Sequence, residues 1–256
     1  MIELNCIYNE DCLSLMDRMD NNCVDVVLTS PPYNTGRNHG TMENYEIRYD
    51  IYLEERNNEE YIDWTIDIFN HYDKVLKDNG CVLYNISYGN ENADLLFVLL
   101  GEIIKRTNFT IADTIIWKKK SALPNNVSSN KLTRICEFVF VFCRKNEYNT
   151  FYTNKRIVNH SNTGQPYYEN IFNFFIANNN DEVCDLNKAT FSTDFCKKLI
   201  DIYVPKEGTV YDSFMGTGTT ALACEQKSRN YIGSELSKAQ CDWANKRLGC
   251  VQKSLF

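Results

Sequence analysis

Two short segments of this chain hold residue types that could do chemistry. The first is Thr29-Ser30-Pro31-Pro32-Tyr33-Asn34. Two prolines lock the backbone and remove two N–H donors, so nearby carbonyls point outward as acceptors. A hydroxyl, Ser30, stands on one side and an aromatic ring, Tyr33, on the other. Ser30 and the Pro31 carbonyl could accept both N–H bonds of a primary amine. The exocyclic amine of a nucleobase is a poor nucleophile because its lone pair is delocalised into the ring. Holding both N–H bonds turns that lone pair toward an incoming electrophile. Tyr33 can stack on a base that has left its helix, which offsets part of the unstacking cost. Taken alone, the segment reads equally well as a strand-ending turn with a packed tyrosine.

The second segment is Asp212-Ser213-Phe214-Met215-Gly216-Thr217-Gly218-Thr219-Thr220. It follows an apolar strand-like run and opens a helical one. Gly216 and Gly218 let the backbone turn sharply and approach a ligand closely. Glu235, followed by Leu236, comes at the end of the next strand-like run, where an acid can accept hydrogen bonds from ribose hydroxyls. The full dinucleotide pattern of three glycines is absent, and so is a phosphate-binding lysine, which excludes a P-loop. A nucleoside without phosphates needs the glycine turn and the acid but no anion cradle. That favours S-adenosylmethionine over NAD, with Asp212, Phe214, Gly216, Gly218, Thr219, Thr220, Glu235 and Leu236 as its candidate contacts.

The elements that must position these segments follow from periodicity. Cys12 to Met19 has helical spacing, and Val24 to Leu28 is a buried strand stopped by the two prolines. Residues 34–58 lack periodicity and read as a long loop. Tyr61 to Leu76, apolar at 62, 66, 69, 72 and 75, is an amphipathic helix ended by Gly80. Cys81 to Ile86 is the next strand. A helix over 93–107 and strands over 111–117 and 135–143 follow. Then come a helix over 195–203, a strand over 209–212, a helix over 219–227, a strand over 231–233 and a helix over 237–248. Strands alternating with helices give an α/β fold with a mostly parallel central sheet flanked by helices. Ligands of such sheets sit at the carboxyl ends of the strands. Both chemical segments fall there.

The chain has 256 residues, enough for one large domain. Its 11 cysteines are scattered, with no Cys-x-x-Cys pair, and its three histidines are spread, so no disulfide framework or metal site is expected. No apolar run is long enough to span a membrane, and the N-terminus lacks a secretory pattern. A cytoplasmic protein, of a bacterium or of a virus in an infected cell, is therefore expected. Its net charge of −7 is uneven. Between Trp117 and Arg156 nine Lys or Arg stand against two Glu, a local +7, while the remainder carries −14. Lys118, Lys119, Lys120, Lys131 and Arg134 are the candidate contacts to phosphates of double-stranded DNA, weighed against plain surface charge.

Together the two motifs resemble those of the DNA amino-methyltransferases. Thr-Ser-Pro-Pro-Tyr-Asn looks like their catalytic motif, and Asp-Ser-Phe-Met-Gly-Thr-Gly-Thr-Thr like their cofactor motif. The order, catalytic motif first, resembles the β group. The likeness covers nearly the whole chain and implies a Rossmann-like methyltransferase domain over 1–256 that takes S-adenosylmethionine. Asn9-Glu10-Asp11-Cys12 resembles the segment placing an acid near the adenine, which implicates Asp11. Thr29 joins the cofactor contacts, as do Thr190 and Phe191 in the segment that closes over the methionine end. There the chain departs from the family's His-Pro pattern with Asn187-Lys188. Ile116-Trp117-Lys118-Lys119, Pro124-Asn125, Glu137 and Lys145 match the family's middle region.

Residues 146–185 sit where the family has its target-recognition region. That region is short here, and the resemblance implies limited contact per monomer and dimerisation; a companion restriction endonuclease would be a separate chain, since nothing in this one looks like a nuclease. Serine before Pro-Pro-Tyr is more frequent in cytosine-N4 enzymes, and Asp or Asn in adenine-N6 enzymes, so cytosine N4 is preferred and adenine N6 is the alternative. An inactive DNA-binding protein and an NAD-linked enzyme stay open as remote readings.

Overall fold

The computed structural model describes residues 2–34, 56–88, 92–119, 136–168, 176–177 and 192–252. Its strands are β1 (Cys6–Tyr8), β2 (Val24–Thr29), β3 (Leu76–Ile86), β4 (Phe109–Lys119), β5 (Cys136–Arg144), β6 (Ile157–His160), β7 (Pro166–Tyr168), β8 (Ile176–Ala177), β9 (Thr209–Asp212) and β10 (Asn230–Ser234). Its α-helices are α1 (Cys12–Arg18), α2 (Asn58–Val75), α3 (Ala93–Arg106), α4 (Thr193–Tyr203), α5 (Thr219–Gln226) and α6 (Lys238–Gln252).

Eight strands form one sheet in the order β1-β10-β9-β2-β3-β5-β4-β8, and β6 pairs with β7 in a separate ribbon. In the large sheet only β5 runs against the rest, pairing antiparallel with both β3 and β4. The mostly parallel sheet expected from the sequence is present. β1 and β8 were not expected. At three and two residues they are too short to show a period.

Side-chain alternation along the strands builds two cores. Val27 of β2, Val82 and Tyr84 of β3, and Phe140 and Phe142 of β5 point to the face covered by α1, α2 and α3. Val26, Leu28, Cys81, Leu83, Val139 and Val141 point to the face holding Phe195, Leu199 and Ile200 of α4, Ala221 and Leu222 of α5, and Leu248 of α6. A strand buried on both faces in this way reads as a continuous apolar run. Phe69 of α2 centres the first core, with Tyr72, Tyr84, Phe109 and Phe142 at 5.0–5.6 Å between ring centroids.

α2 starts at a capping box. Asn57 accepts from the Glu60 N–H at 2.9 Å, and Glu60 accepts from the Asn57 N–H at 3.2 Å. The expected stripe is buried at Ile62, Ile66, Phe69, Tyr72 and Val75. Gly80 is not what ends the helix, however. It ends at Val75, and β3 begins at once. The register jumps from Val24↔Leu76 to Val26↔Cys81, so residues 77–80 bulge out of the ladder. Gly80 serves that bulge: a Cβ there would stand 2.6 Å from the Asp25 carbonyl oxygen. Among the described residues no helix is long and apolar enough to cross a membrane. The nine described cysteines are free, six of them buried.

Candidate active site

β9 continues through α5 to β10 on one side, while β2 continues through α2 to β3 on the other. The sheet therefore changes direction between β9 and β2, the switch point where open α/β sheets form a crevice. Register brings the strand ends level. Tyr8 lies opposite Ser234, Gly233 opposite Asp212, and Thr29 opposite Tyr84. Both sequence motifs thus meet at one edge.

Thr29 is fully buried and joins the motifs. Its hydroxyl donates to Asp212 Oδ1 at 2.8 Å and lies 3.1 Å from Ser213 Oγ. Asp212 Oδ1 also accepts from the Phe214 N–H at 3.0 Å, and Oδ2 accepts from Thr220 Oγ1 at 2.6 Å. Burial raises the Asp212 carboxyl to about 6, while these three hydrogen bonds pull the other way. Ser213 Oγ in turn meets Tyr72 OH at 2.5 Å, which anchors the turn to α2. Thr29, Asp212 and Thr220 therefore spend their side-chain polar groups on one another, as ties that shape the turn.

Gly218 adopts φ +81, and a Cβ on it would stand 2.8 Å from the Ala244 Cβ. Only glycine fits both demands. Thr219 accepts from Arg247 Nη1 at 3.0 Å. Glu235 spans the turn, its Oε2 accepting from the Gly216 N–H and its Oε1 from the Ser237 N–H, each at 2.8 Å. Asn9 Nδ2 donates to the carbonyls of Glu235 and Leu236, both at 2.9 Å, and so draws the segment after β1 against the acid. Asp11 follows as the N-cap of α1, accepting from the N–H groups of Leu13 and Ser14. Phe214, half-buried, contacts Trp64 of α2 at 5.6 Å between centroids, and Arg56 lies over the Trp64 ring at 4.5 Å.

On the other side of Thr29, the double-proline turn is clamped. Tyr61 OH donates to the Pro32 carbonyl at 2.9 Å. Ser30 Oγ lies 3.3 Å from Tyr33 OH and 3.4 Å from Asn85 Oδ1. Tyr33 OH lies 3.1 Å from Asn85 Oδ1 and 3.3 Å from Glu137 Oε2. Beside Tyr33 lies a small cleft, lined also by Tyr61, Ile86, Ser87 and Tyr88. The buried Ser87 Oγ has no hydrogen-bond partner among the described residues.

The structure thus gathers Asp11, Thr29, Ser30, Pro31, Pro32, Tyr33, Asp212, Phe214, Gly216, Gly218, Thr219, Thr220, Glu235 and Leu236 along one sheet edge. Lys118 is exposed, but Lys119 is turned inward, paired with Glu137 and lying 5.0 Å over the Trp117 ring. It does not stand open to phosphate. Lys120, Lys131, Arg134, Thr190 and Phe191 lie outside the described residues. Sequence reasoning gave no role to Tyr61, Trp64, Asn85 or Glu137. A polar Asn85 ending the apolar run of β3, at a carboxyl strand end, was the available signal.

The family model N6_N4_Mtase, described as DNA methylase, matches residues 24–246. The Type II methyltransferase M.Cfr9I of Citrobacter freundii is 24% identical over 96% of this chain and 89% of its own length. The Orphan methyltransferase M.BamHII of Bacillus amyloliquefaciens is 27% identical over 88% of each. Among solved structures, the PvuII DNA methyltransferase (cytosine-N4-specific) covers 96% of this chain and 86% of its own, at TM-score 0.69 and 19% identity. The M1.HpyAVI–SAM complex covers 97% and 100%, at TM-score 0.63 and 23% identity. These two share the fold described above. The matched span includes both turns joined by Thr29, and the chain belongs to the DNA methylase family.

Proposed function

We propose that this protein transfers a methyl group from S-adenosylmethionine to the exocyclic amine of a flipped base in double-stranded DNA. Cytosine N4 is the preferred target and adenine N6 the alternative. The observation that carries the reading is the Thr29–Asp212 hydrogen bond. It puts an amine-accepting turn and a nucleoside-type turn on adjacent strand ends.

The residues present suit the cofactor. Gly216 and Gly218 let the backbone pass close to a ligand, Glu235 places a carboxylate at the end of β10 that can accept from ribose hydroxyls, and Phe214 offers a half-buried ring. When bound, S-adenosylmethionine supplies an electrophilic methyl on a positively charged sulfur. Ser30 and the Pro31 carbonyl hold the amine's N–H bonds, so its lone pair faces that methyl. Tyr33 stacks on the base. Alignment and fixed dipoles carry the rate.

We assign DNA contact to exposed Lys118 and to the β6–β7 ribbon within 146–185. The ribbon exposes Ile157, Val158, Tyr167 and Tyr168, with Lys155 held 4.1 Å over the Tyr168 ring. A two-stranded ribbon of this kind fits a major groove. Relatives named Type II methyltransferases support a companion nuclease on a separate chain, and the short recognition region supports a homodimer.

Modification-aware sequencing of DNA from cells expressing the protein tests the reading. One sequence context carrying methylated amines is expected. Unmodified DNA from cells containing folded protein rules the reading out.

A further inference from the structure

Tyr33 OH lies between two acceptors. Asn85 is held with its amide nitrogen donating to the Phe138 carbonyl at 2.8 Å, so its Oδ1, 3.1 Å from Tyr33 OH, can only accept. Glu137 offers Oε2 at 3.3 Å, and its other oxygen pairs with Lys119. The two side chains of that ion pair are 15% and 19% exposed, too buried to be ordinary surface charge.

We propose that Glu137 is a positioning residue that sets the direction of the hydrogen bonds at the catalytic turn. A hydroxyl has one proton, and a carboxylate accepts only. Tyr33 therefore donates toward Glu137 or Asn85, and the charged acceptor makes the stronger bond. The Tyr33 oxygen can then accept from Ser30, 3.3 Å away. The Ser30 proton is committed inward, to Tyr33 OH at 3.3 Å or Asn85 Oδ1 at 3.4 Å. What Ser30 presents to the crevice is lone pairs, the polarity an amine N–H requires. A glutamine at 137 could donate to the Tyr33 oxygen instead. It would displace the Ser30 proton and weaken that polarity.

This inference rests on the proposed amine methylation. It is tested with wild type, Glu137→Gln, Tyr33→Phe, the double variant and Lys119→Met, each checked by thermal melting. The readouts are single-turnover methyl transfer to DNA at saturating S-adenosylmethionine, and cofactor Kd. Glu137→Gln should slow transfer about tenfold with Kd changed less than about twofold. Added to Tyr33→Phe, it should cost less than about twofold more, because the hydroxyl it acts through is gone. Lys119→Met, which breaks the ion pair but leaves the Glu137 acceptor in place, should retain at least about a third of the rate when assayed well above the ordinary carboxylate range. Losses that multiply in the double variant, or a Lys119→Met loss equal to that of Glu137→Gln, overturn the inference alone. A folded wild type that methylates no exocyclic amine overturns the reading beneath it as well.

Discussion

Thr29 Oγ1 and Asp212 Oδ1 stand 2.8 Å apart, although 183 positions separate them in the chain. Their bond ties the end of β2 to the end of β9, and with it the proline turn to the glycine turn. Thr29→Val keeps the volume and removes the hydroxyl, leaving a buried carboxylate one donor short. Loss of about 1–3 kcal/mol in chemical denaturation is expected, with slower methyl transfer. Unchanged stability and rate would show that the two turns hold their places independently.

Asp212 gives a pH signature. Its folded carboxyl is raised from 3.8 to about 6 by burial. Between those values the folded state binds more protons than the unfolded chain, so this group's contribution to stability falls as pH rises through the window. It then stays level above it. The decline should amount to about 1–3 kcal/mol. Asp212→Asn, which can still accept from Thr29 and the Phe214 N–H, should lack this component when denaturation midpoints are compared at either end of the window. A variant that tracks wild type across it would place the titration elsewhere.

Glu235 and Tyr33 should separate binding from turnover. Glu235→Ala removes the acceptor for the Gly216 and Ser237 N–H groups and, on the proposed reading, for ribose hydroxyls. Its S-adenosylmethionine Kd should rise about tenfold or more by calorimetry. Tyr33→Ala should lower kcat strongly while Kd stays near wild type. Equal effects of both changes on both quantities would contradict the division of roles.

Much of this arrangement was legible in the sequence, because parallel strands buried on both faces leave continuous apolar runs and the site follows their ends. β2, β3, β9 and β10 were found that way, and the two turns with them. The role of Gly80 was misread: it looked like the stop of α2, whereas the close approach of β3 to Asp25 is what requires it. The Asn85–Tyr33–Glu137 cluster was not legible. Its members lie 52 and 104 positions from Tyr33, and strand pairing alone brings them together. Lys119 read as a candidate phosphate contact, weighed against surface charge, for the same reason. Only the β4–β5 register, with Trp117 opposite Glu137, turns it inward.

The most direct test is mass spectrometry of nucleosides from DNA incubated with the purified protein and isotope-labelled S-adenosylmethionine, with Tyr33→Ala as the control. Labelled N4-methylcytosine, strongly reduced in the control, is the predicted result. Labelled N6-methyladenine in its place would reverse the choice of base, and labelled 5-methylcytosine would contradict transfer to an exocyclic amine altogether.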